Sequence, residues 1–483
     1  MLIVGRRCFL AALTSLVAIK AIEMLDKANT PAGRSHATVP LPSLISMLPS
    51  PPLHSTPPAP PPQSCSRILR PRGGGEADPG VAGTLGDGDE SSNGAAHTTD
   101  VLQGSLDPFP LDSSMSPSSL AALLHQQVTT CGTQPFLQEW KSGKGVTLTL
   151  SFANFAAHVA AAVAHLSHHG VEPADRVALL SHPTATFFVH AYAVMAMGGT
   201  SALLNWRQPA DTLVAMVASS GCTVLLCGSN FEAQVDNMRP AIDLKLLLWL
   251  DWPTQRAIPP GDVVLPNLDN SILPDLNDVA ARLPVDQVRA DTLALIMFTS
   301  GSTSTPKPVP FTHTQLLWSL AHNQQQRLHC AEPLERPGAG TLSFLPNFHV
   351  IGFINNFLSN LYAGLRFAVL QDAGSILTPQ LLLEACVDLR PTLIDSVPVM
   401  VEGLLQRLEQ GHVSPEEREA LTQVYAVMAG GCQLNEELLV PLAHKHGVRL
   451  IVHCACPAFQ LKMPPDVAHV LGVRVRMLCA QMV

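Results

Sequence analysis

The sequence predicts an α/β protein in which parallel sheets are covered by helices, arranged as two sheet-bearing halves. Three observations lead there. Apolar runs of strand length alternate with segments of helical period, hydrophobic residues reach 47% against 14% charged, and the chain is 483 residues long. Strands buried on both faces read as continuous apolar runs, and their alternation with helices marks a parallel sheet. A chain this long exceeds what a single core usually supports.

The elements follow in order. "RVALLS" (176–181) reads as a buried strand, and "PTATFFVHAYAVMAMGG" continues at helical period to a glycine stop at Gly198 and Gly199. Strand "TSALLN", helix "ADTLVAMVASSG", and strands "CTVLLCG" and "LKLLLWL" extend the first series. A second begins at Asp291 with strand "TLALIMF", a loop, a helix from Thr314, strand "TLSFL", a helix after Gly352 and strand "LRFAVL". Helix "TPQLLLEACVDL", strand "TLIDS", helix "PVMVEGLLQRLEQ", strand "VYAVMAG", helix "LNEELLVPLAHKHG" and strand "VRLIVH" complete it. The two halves are expected to cover residues 117–290 and 291–454.

The segments before residue 117 have another character. Residues 1–25 carry Arg6 and Arg7 ahead of an apolar stretch that Lys20 interrupts, which fits a secretory signal or signal anchor. From Lys27 to Gly75 there is no Asp or Glu, a composition like that of an organelle transit peptide. A plastid or secretory-membrane address and a plain disordered extension are both open readings, and the compartment stays unknown. Residues 26–116, rich in Pro, Ser and Gly, cannot bury enough apolar surface to fold.

Composition also excludes some functions. A net charge of −9 without a Lys/Arg block gives a polyanion nothing to grip, so no nucleic-acid partner is expected. The eleven cysteines include no C-x-x-C pair, which reads as mostly buried free thiols and not as a zinc site.

The segment "FTSGSTSTPKPVPFTH" (298–313) directly follows the run "LALIM", at the carboxyl end of a predicted strand where ligands of open α/β sheets bind. Backbone N–H groups of a tight hydroxyl-rich turn hold phosphate oxygens, and Lys307 neutralises charge. The pattern is not G-x-x-x-x-G-K-[ST], because Gly301 is its sole glycine and no Ser or Thr follows the lysine.

Thr299, Ser300, Gly301, Ser302, Thr303, Pro306 and Lys307 in this order resemble the phosphate-binding signature of the AMP-forming acyl-adenylate ligases, which include acyl-CoA synthetases and peptide-synthetase adenylation domains. "FLPNFHVIGF" (344–353) resembles the second signature of that family, and "VYAVMAGGCQLNEEL" resembles the stretch that approaches adenine and the acyl group. "GVEPADRVALL" and "LLNWRQP" are similar to its N-terminal half. The resemblance covers Pro117 to Cys454.

The resemblance implies ATP-dependent activation of a carboxylic acid to an acyl-adenylate with release of pyrophosphate, followed by thioester formation with CoA or a carrier-protein thiol. ATP, Mg²⁺ and CoA are the cofactors it implies, and the acid is the substrate. By analogy Ser300, Gly301, Ser302, Thr303 and Lys307 hold the β- and γ-phosphates, with Thr299 beside them and Thr303 near the metal. His349 borders the acyl pocket in this reading, while capping the next helix is the other reading of the same residue. Gly430 and Gly431 let backbone approach a flat ligand, and a tight turn needs the same absence of Cβ. Cys432 is expected to be a small apolar wall, since nothing nearby in the sequence would lower its pKa.

The sequence departs from the family in three places. Ser304 stands where glycine is usual, and Pro308 removes an N–H beyond the lysine. After Cys454 the family continues with Tyr-Gly-x-Thr-Glu, whose carboxylate helps hold Mg²⁺, then a ribose-binding aspartate and a small mobile domain with a lysine. Residues 455–483 contain no Glu, and their single Asp is Asp466, next to Pro465 and Val467. This stretch reads as an aberrant tail without strand–helix alternation, so the C-terminal barrel and mobile domain are expected to be missing and ligase activity low. A catalytically inactive nucleotide- or acyl-binding relative and a protein tethered to a membrane through residues 1–25 are the alternatives.

Overall fold

The computed structural model describes residues 117–253, 255–268, 276–299, 306–328, 338–371, 378–430, 445–448, 450–454 and 475–477. The signal or anchor segment 1–25, the stretch 26–116 and most of the helix expected over "LNEELLVPLAHKHG" lie outside the described residues.

The first helix, Leu120–Cys131, is followed by a hairpin of β1 (Pro135–Lys141) and β2 (Gly145–Ser151). Next come β3 (Arg176–Leu180), β4 (Thr200–Leu203), β5 (Val224–Cys227), β6 (Leu246–Trp249) and β7 (Val263–Val264). They precede β8 (Leu293–Thr299) and β9 (Lys307–Thr312). The later strands are β10 (Gly340–Ser343), β11 (Arg366–Leu370), β12 (Leu393–Ser396), β13 (Ala426–Gly430), β14 (Leu450–Cys454) and β15 (Val475–Met477).

One sheet runs β7-β6-β5-β3-β4-β8-β9 and the other β15-β14-β13-β12-β10-β11-β1-β2. Among the described strands only the β1–β2 and β8–β9 pairs are antiparallel. The fold is thus α/β, as expected, but the sheets do not divide at residue 291. β8 and β9 complete the sheet of the earlier strands, and the β1–β2 hairpin joins the later sheet through β11. Pairing between strands so distant in sequence leaves no local pattern to read. Within 455–483, Val475–Met477 adds a parallel strand to β14 with Val452 opposite Val475, and the rest of that stretch lies outside the described residues.

Strand periodicity builds three apolar layers. Val177 and Leu179 of β3 and Phe367 and Val369 of β11 point into one shared cluster, while Ala178 and Leu180 face a second and Ala368 and Leu370 a third. The helix Ala185–Ala196 belongs to the shared layer and is buried at every position except Thr186, as a helix apolar nearly all round must be. Phe188 in that helix lies 4.6 Å from the ring of Phe357 and 5.2 Å from that of Phe367. Helices Pro379–Leu389, Pro398–Glu409 and Pro415–Gln423 cover the outer face of the later sheet. The last of these, absent from the strand–helix pattern, starts on a capping box in which Ser414 and Glu417 exchange side chain-to-backbone hydrogen bonds.

The shared layer also fixes the start of the domain. The Leu120 N–H donates to Nδ1 of the buried His313 at 3.2 Å, and the Tyr192 hydroxyl donates to the Leu120 carbonyl at 2.6 Å.

Candidate functional site at the strand ends

β3, β4 and β8 are parallel, so their carboxyl ends share one edge of the sheet. β9 returns antiparallel to β8, with Thr299 and Lys307 as facing partners and Phe298 opposite Pro308. The ladder thus brings Thr299 and Lys307, the residues flanking 300–306, opposite each other at that edge. Ser300, Gly301, Ser302 and Thr303 of the expected phosphate cradle lie outside the described residues, as do Gly431 and Cys432. Thr299 and Lys307 are both exposed, and Lys307 makes no ion pair with the described residues. β9 is an edge strand, which explains how Pro308 and Pro310 fit: an N–H facing away from the sheet has no partner to lose.

A second loop, Phe344–Val350, reaches the same edge from β10 of the other sheet. Asn347 ties it there. Its Nδ2 donates to the Ser181 carbonyl just beyond β3 at 3.0 Å, and its Oδ1 accepts from Trp206 Nε1 just beyond β4 at 3.1 Å. Asn347 is 1% exposed, so both bonds replace water the side chain has lost. The Phe348 ring packs edge-on against Trp206 at 5.7 Å. "LLNWRQP" and "FLPNFHVIGF" are thus two halves of one contact.

His349 follows in this loop and is exposed. Its Nδ1 accepts from the Ile351 N–H at 3.3 Å, the first turn of a π-helix over Ile351–Leu358, so the ring serves as a cap and Nε2 carries the ring proton. Burial by surrounding atoms lowers its pKa from the ordinary imidazole value. Gly352 has a packing reason: a Cβ there would run into the Pro346 carbonyl oxygen and stand 2.9 Å from that of Leu345. The glycine of the signature lets the loop fold back on the helix it starts.

Arg207 is the group sequence reasoning passed over. Its guanidinium lies 4.8 Å from the centre of the Trp206 ring and 5.9 Å from that of Phe348. It is exposed and forms no ion pair with the described residues. Stacking on two rings holds the cation in place without neutralising it. The Trp-Arg pair directly after a strand was the available signal. Beside it His182 sits edge-on between Trp206 and Phe231, at 4.8 Å from each. Its pKa is lowered, chiefly by burial and further by Arg207, while Asp251 opposes the shift.

Two unneutralised cations, Lys307 and Arg207, and the Thr299 hydroxyl at strand ends suit a phosphate-bearing ligand such as ATP. For Mg²⁺ the described residues offer no group of three His, Cys, Asp or Glu side chains, and the candidate ligand Thr303 lies outside them. Gly430 ends β13 opposite His453 of β14, at the carboxyl edge of the later sheet. Cys131, Cys222, Cys227 and Cys386 are free and buried. No described helix is long and apolar enough to cross a membrane, and the segment 1–25 lies outside that statement.

Residues 125–454 match the AMP-binding enzyme family. The chain is 27% identical over 306 residues to indoleacetate–CoA ligase of Aromatoleum aromaticum, covering 62% of this chain and 54% of that protein. It spans about half the length of the curated CoA ligases it matches. Its fold is similar to the N-terminal domain of FACL13 from Mycobacterium tuberculosis, with a TM-score of 0.51 at 20% identity over 69% of this chain and 74% of that one. It is also similar to an acyl-CoA synthetase of Brucella canis, with a TM-score of 0.54 at 15% identity over 69% and 56% of the two chains. These structural likenesses concern the fold alone. The match over more than half of the sequence, on a fold that carries two cations at its strand ends, makes this chain a member of the AMP-binding enzyme family.

Proposed function

We propose that this fold binds ATP and a carboxylic acid and joins them as an acyl-adenylate, with CoA as the thiol that takes the acyl group. The carboxylate oxygen forms a bond to the α-phosphorus as the bond to the pyrophosphate oxygen breaks. The thiol sulfur then bonds to the acyl carbon and AMP leaves. The adenylate-forming unit is residues 117–454, which agrees with the extent of the family match.

The observation that carries the reading is the β8–β9 ladder, which places Lys307 opposite Thr299, the residues flanking 300–306. A carboxylate approaching a polyphosphate meets like-charge repulsion, and fixed cations at the place where charge builds up lower that barrier. Lys307 supplies one such charge. Arg207 adds a second, held by Trp206 and Phe348 so that little freedom is lost when an anion arrives. His349, whose Nδ1 is taken by the Ile351 N–H, keeps Nε2 as a donor for this reading. A bound Mg²⁺ would spread further phosphate charge.

Equilibrium ATP binding and carboxylate-dependent exchange of labelled pyrophosphate into ATP test this reading. ATP binding weakened about tenfold or more by Lys307→Ala, with exchange lowered in step, is the expected result. ATP binding that is absent or indifferent to Lys307→Ala would overturn the site. ATP binding without carboxylate-dependent exchange would overturn adenylation and leave a nucleotide-binding relative.

A further inference from the structure

A cavity of about 520 Å³ opens beside the β1–β2 hairpin, on the edge strands of the later sheet, and shares no lining residue with the site at the strand ends. Glu139 of β1 is its one ionisable wall. The residue is 7% exposed, and its two oxygens are partly satisfied: one accepts from the Ala185 N–H at the start of helix Ala185–Ala196, the other from Gln371 Nε2 at 2.7 Å. No Lys or Arg among the described residues pairs with it.

A carboxylate accepts about four hydrogen bonds, so two near-complete lone-pair positions remain. The rest of the polar wall is Thr147, Thr186, Asn267 and Gln371, whose hydroxyl and amide oxygens can accept hydrogen bonds, while Leu148 and Leu268 are apolar. Burial without a countercharge penalises the ionised form, and the Glu139 pKa is accordingly raised despite the two hydrogen bonds. What the cavity lacks is a compact cation rich in donors.

We propose that this cavity is a binding site for a primary alkylammonium group, with the ammonium on Glu139 and a short alkyl chain along Leu148 and Leu268. An ammonium carries three donors and no acceptor, which matches a carboxylate flanked by hydroxyl and amide oxygens. A carboxylate or phosphate ligand would meet the Glu139 charge and is excluded. The ligand chemistry is opposite to that of the strand-end site, and the inference does not depend on that site's function.

Titration calorimetry of the full chain with n-butylammonium chloride tests it, against 1-butanol and sodium butyrate at equal ionic strength and a mildly alkaline pH. Saturable binding of butylammonium alone is expected. Glu139→Gln removes the charge and keeps the shape, and should weaken binding about tenfold to a hundredfold. Leu148→Trp fills the cavity while leaving both Glu139 hydrogen bonds in place, and should weaken it similarly even if Glu139→Gln does not fold. Equal binding of butanol or butyrate, no saturable butylammonium binding, or undiminished binding by Leu148→Trp would each overturn the proposal.

Discussion

Two loops arrive at the same strand ends by different means. The residues flanking 300–306 are held by the backbone ladder between β8 and β9, in which Thr299 faces Lys307. The loop Phe344–Val350 is held by one side chain, Asn347, hydrogen-bonded to Ser181 and Trp206 of the other sheet. A ladder tolerates changes of side chain, because its bonds are made by the main chain. A side-chain tether concentrates the same task in one residue and leaves two buried partners stranded when that residue changes. The first loop should therefore be robust to substitution and the second brittle.

The comparison breaks most visibly at the tether. Asn347→Leu deprives the buried Trp206 N–H and Ser181 carbonyl of partners and is expected to cost about 4 kcal/mol, two losses within the usual range for unsatisfied buried groups. Chemical denaturation measures it, and a loss below about 1 kcal/mol would mean water replaces the side chain freely. Gly352→Ala should cost about 3 kcal/mol, since its Cβ would collide with backbone of Pro346 that has no room to move. An unchanged midpoint of unfolding would show that the π-helix can unwind to make room.

Acid sharpens the contrast between an exposed histidine and buried ones. His313 and His190 are each held near a pKa of about 4, against 6.5 ordinarily, mainly by burial. The folded state resists protonating them, so the unfolded chain binds more protons between those values. Their contribution to stability is complete above pH 6.5 and is lost as the pH falls toward 4, by roughly 3 kcal/mol for each. Stability measured across this window should fall steeply, and His313→Gln should flatten the slope. His349, exposed in the brittle loop, should contribute little to it. The smallest effect is expected at the robust loop, where Lys307→Ala should change stability by less than about 0.5 kcal/mol while weakening ATP binding. A large stability loss there would mean that Lys307 has a structural partner and is not reserved for ligand.

Much of the fold was legible because it rests on local pattern. β3, β5 and β11 fall on the runs "RVALLS", "CTVLLCG" and "LRFAVL", since strands buried on both faces must be apolar without interruption. The capped helix Pro415–Gln423 was overlooked although Ser414 and Glu417 announce it, because its low hydrophobicity interrupts the strand–helix rhythm. Of the expected site residues, Thr299, Lys307 and Gly430 lie at strand termini and His349 lies in the loop after β10, while their roles toward a ligand rest on the motifs. Arg207 and Asn347 were visible only as letters inside motifs, since their importance lies in partners far along the chain.

The amino-acid sequence by itself determined the α/β class, the apolar strands, the family signatures and the position of the hydroxyl-rich loop after β8, because each depends on residues close to one another. Tertiary structure alone decided that β8 and β9 complete the earlier sheet and the β1–β2 hairpin the later one. It alone joined Asn347 to Trp206, stacked Arg207 on two rings and enclosed Glu139 without a countercharge. Those arrangements follow from packing two sheets against one shared apolar layer, and the energy that selects them is spread over contacts between segments no sequence window contains.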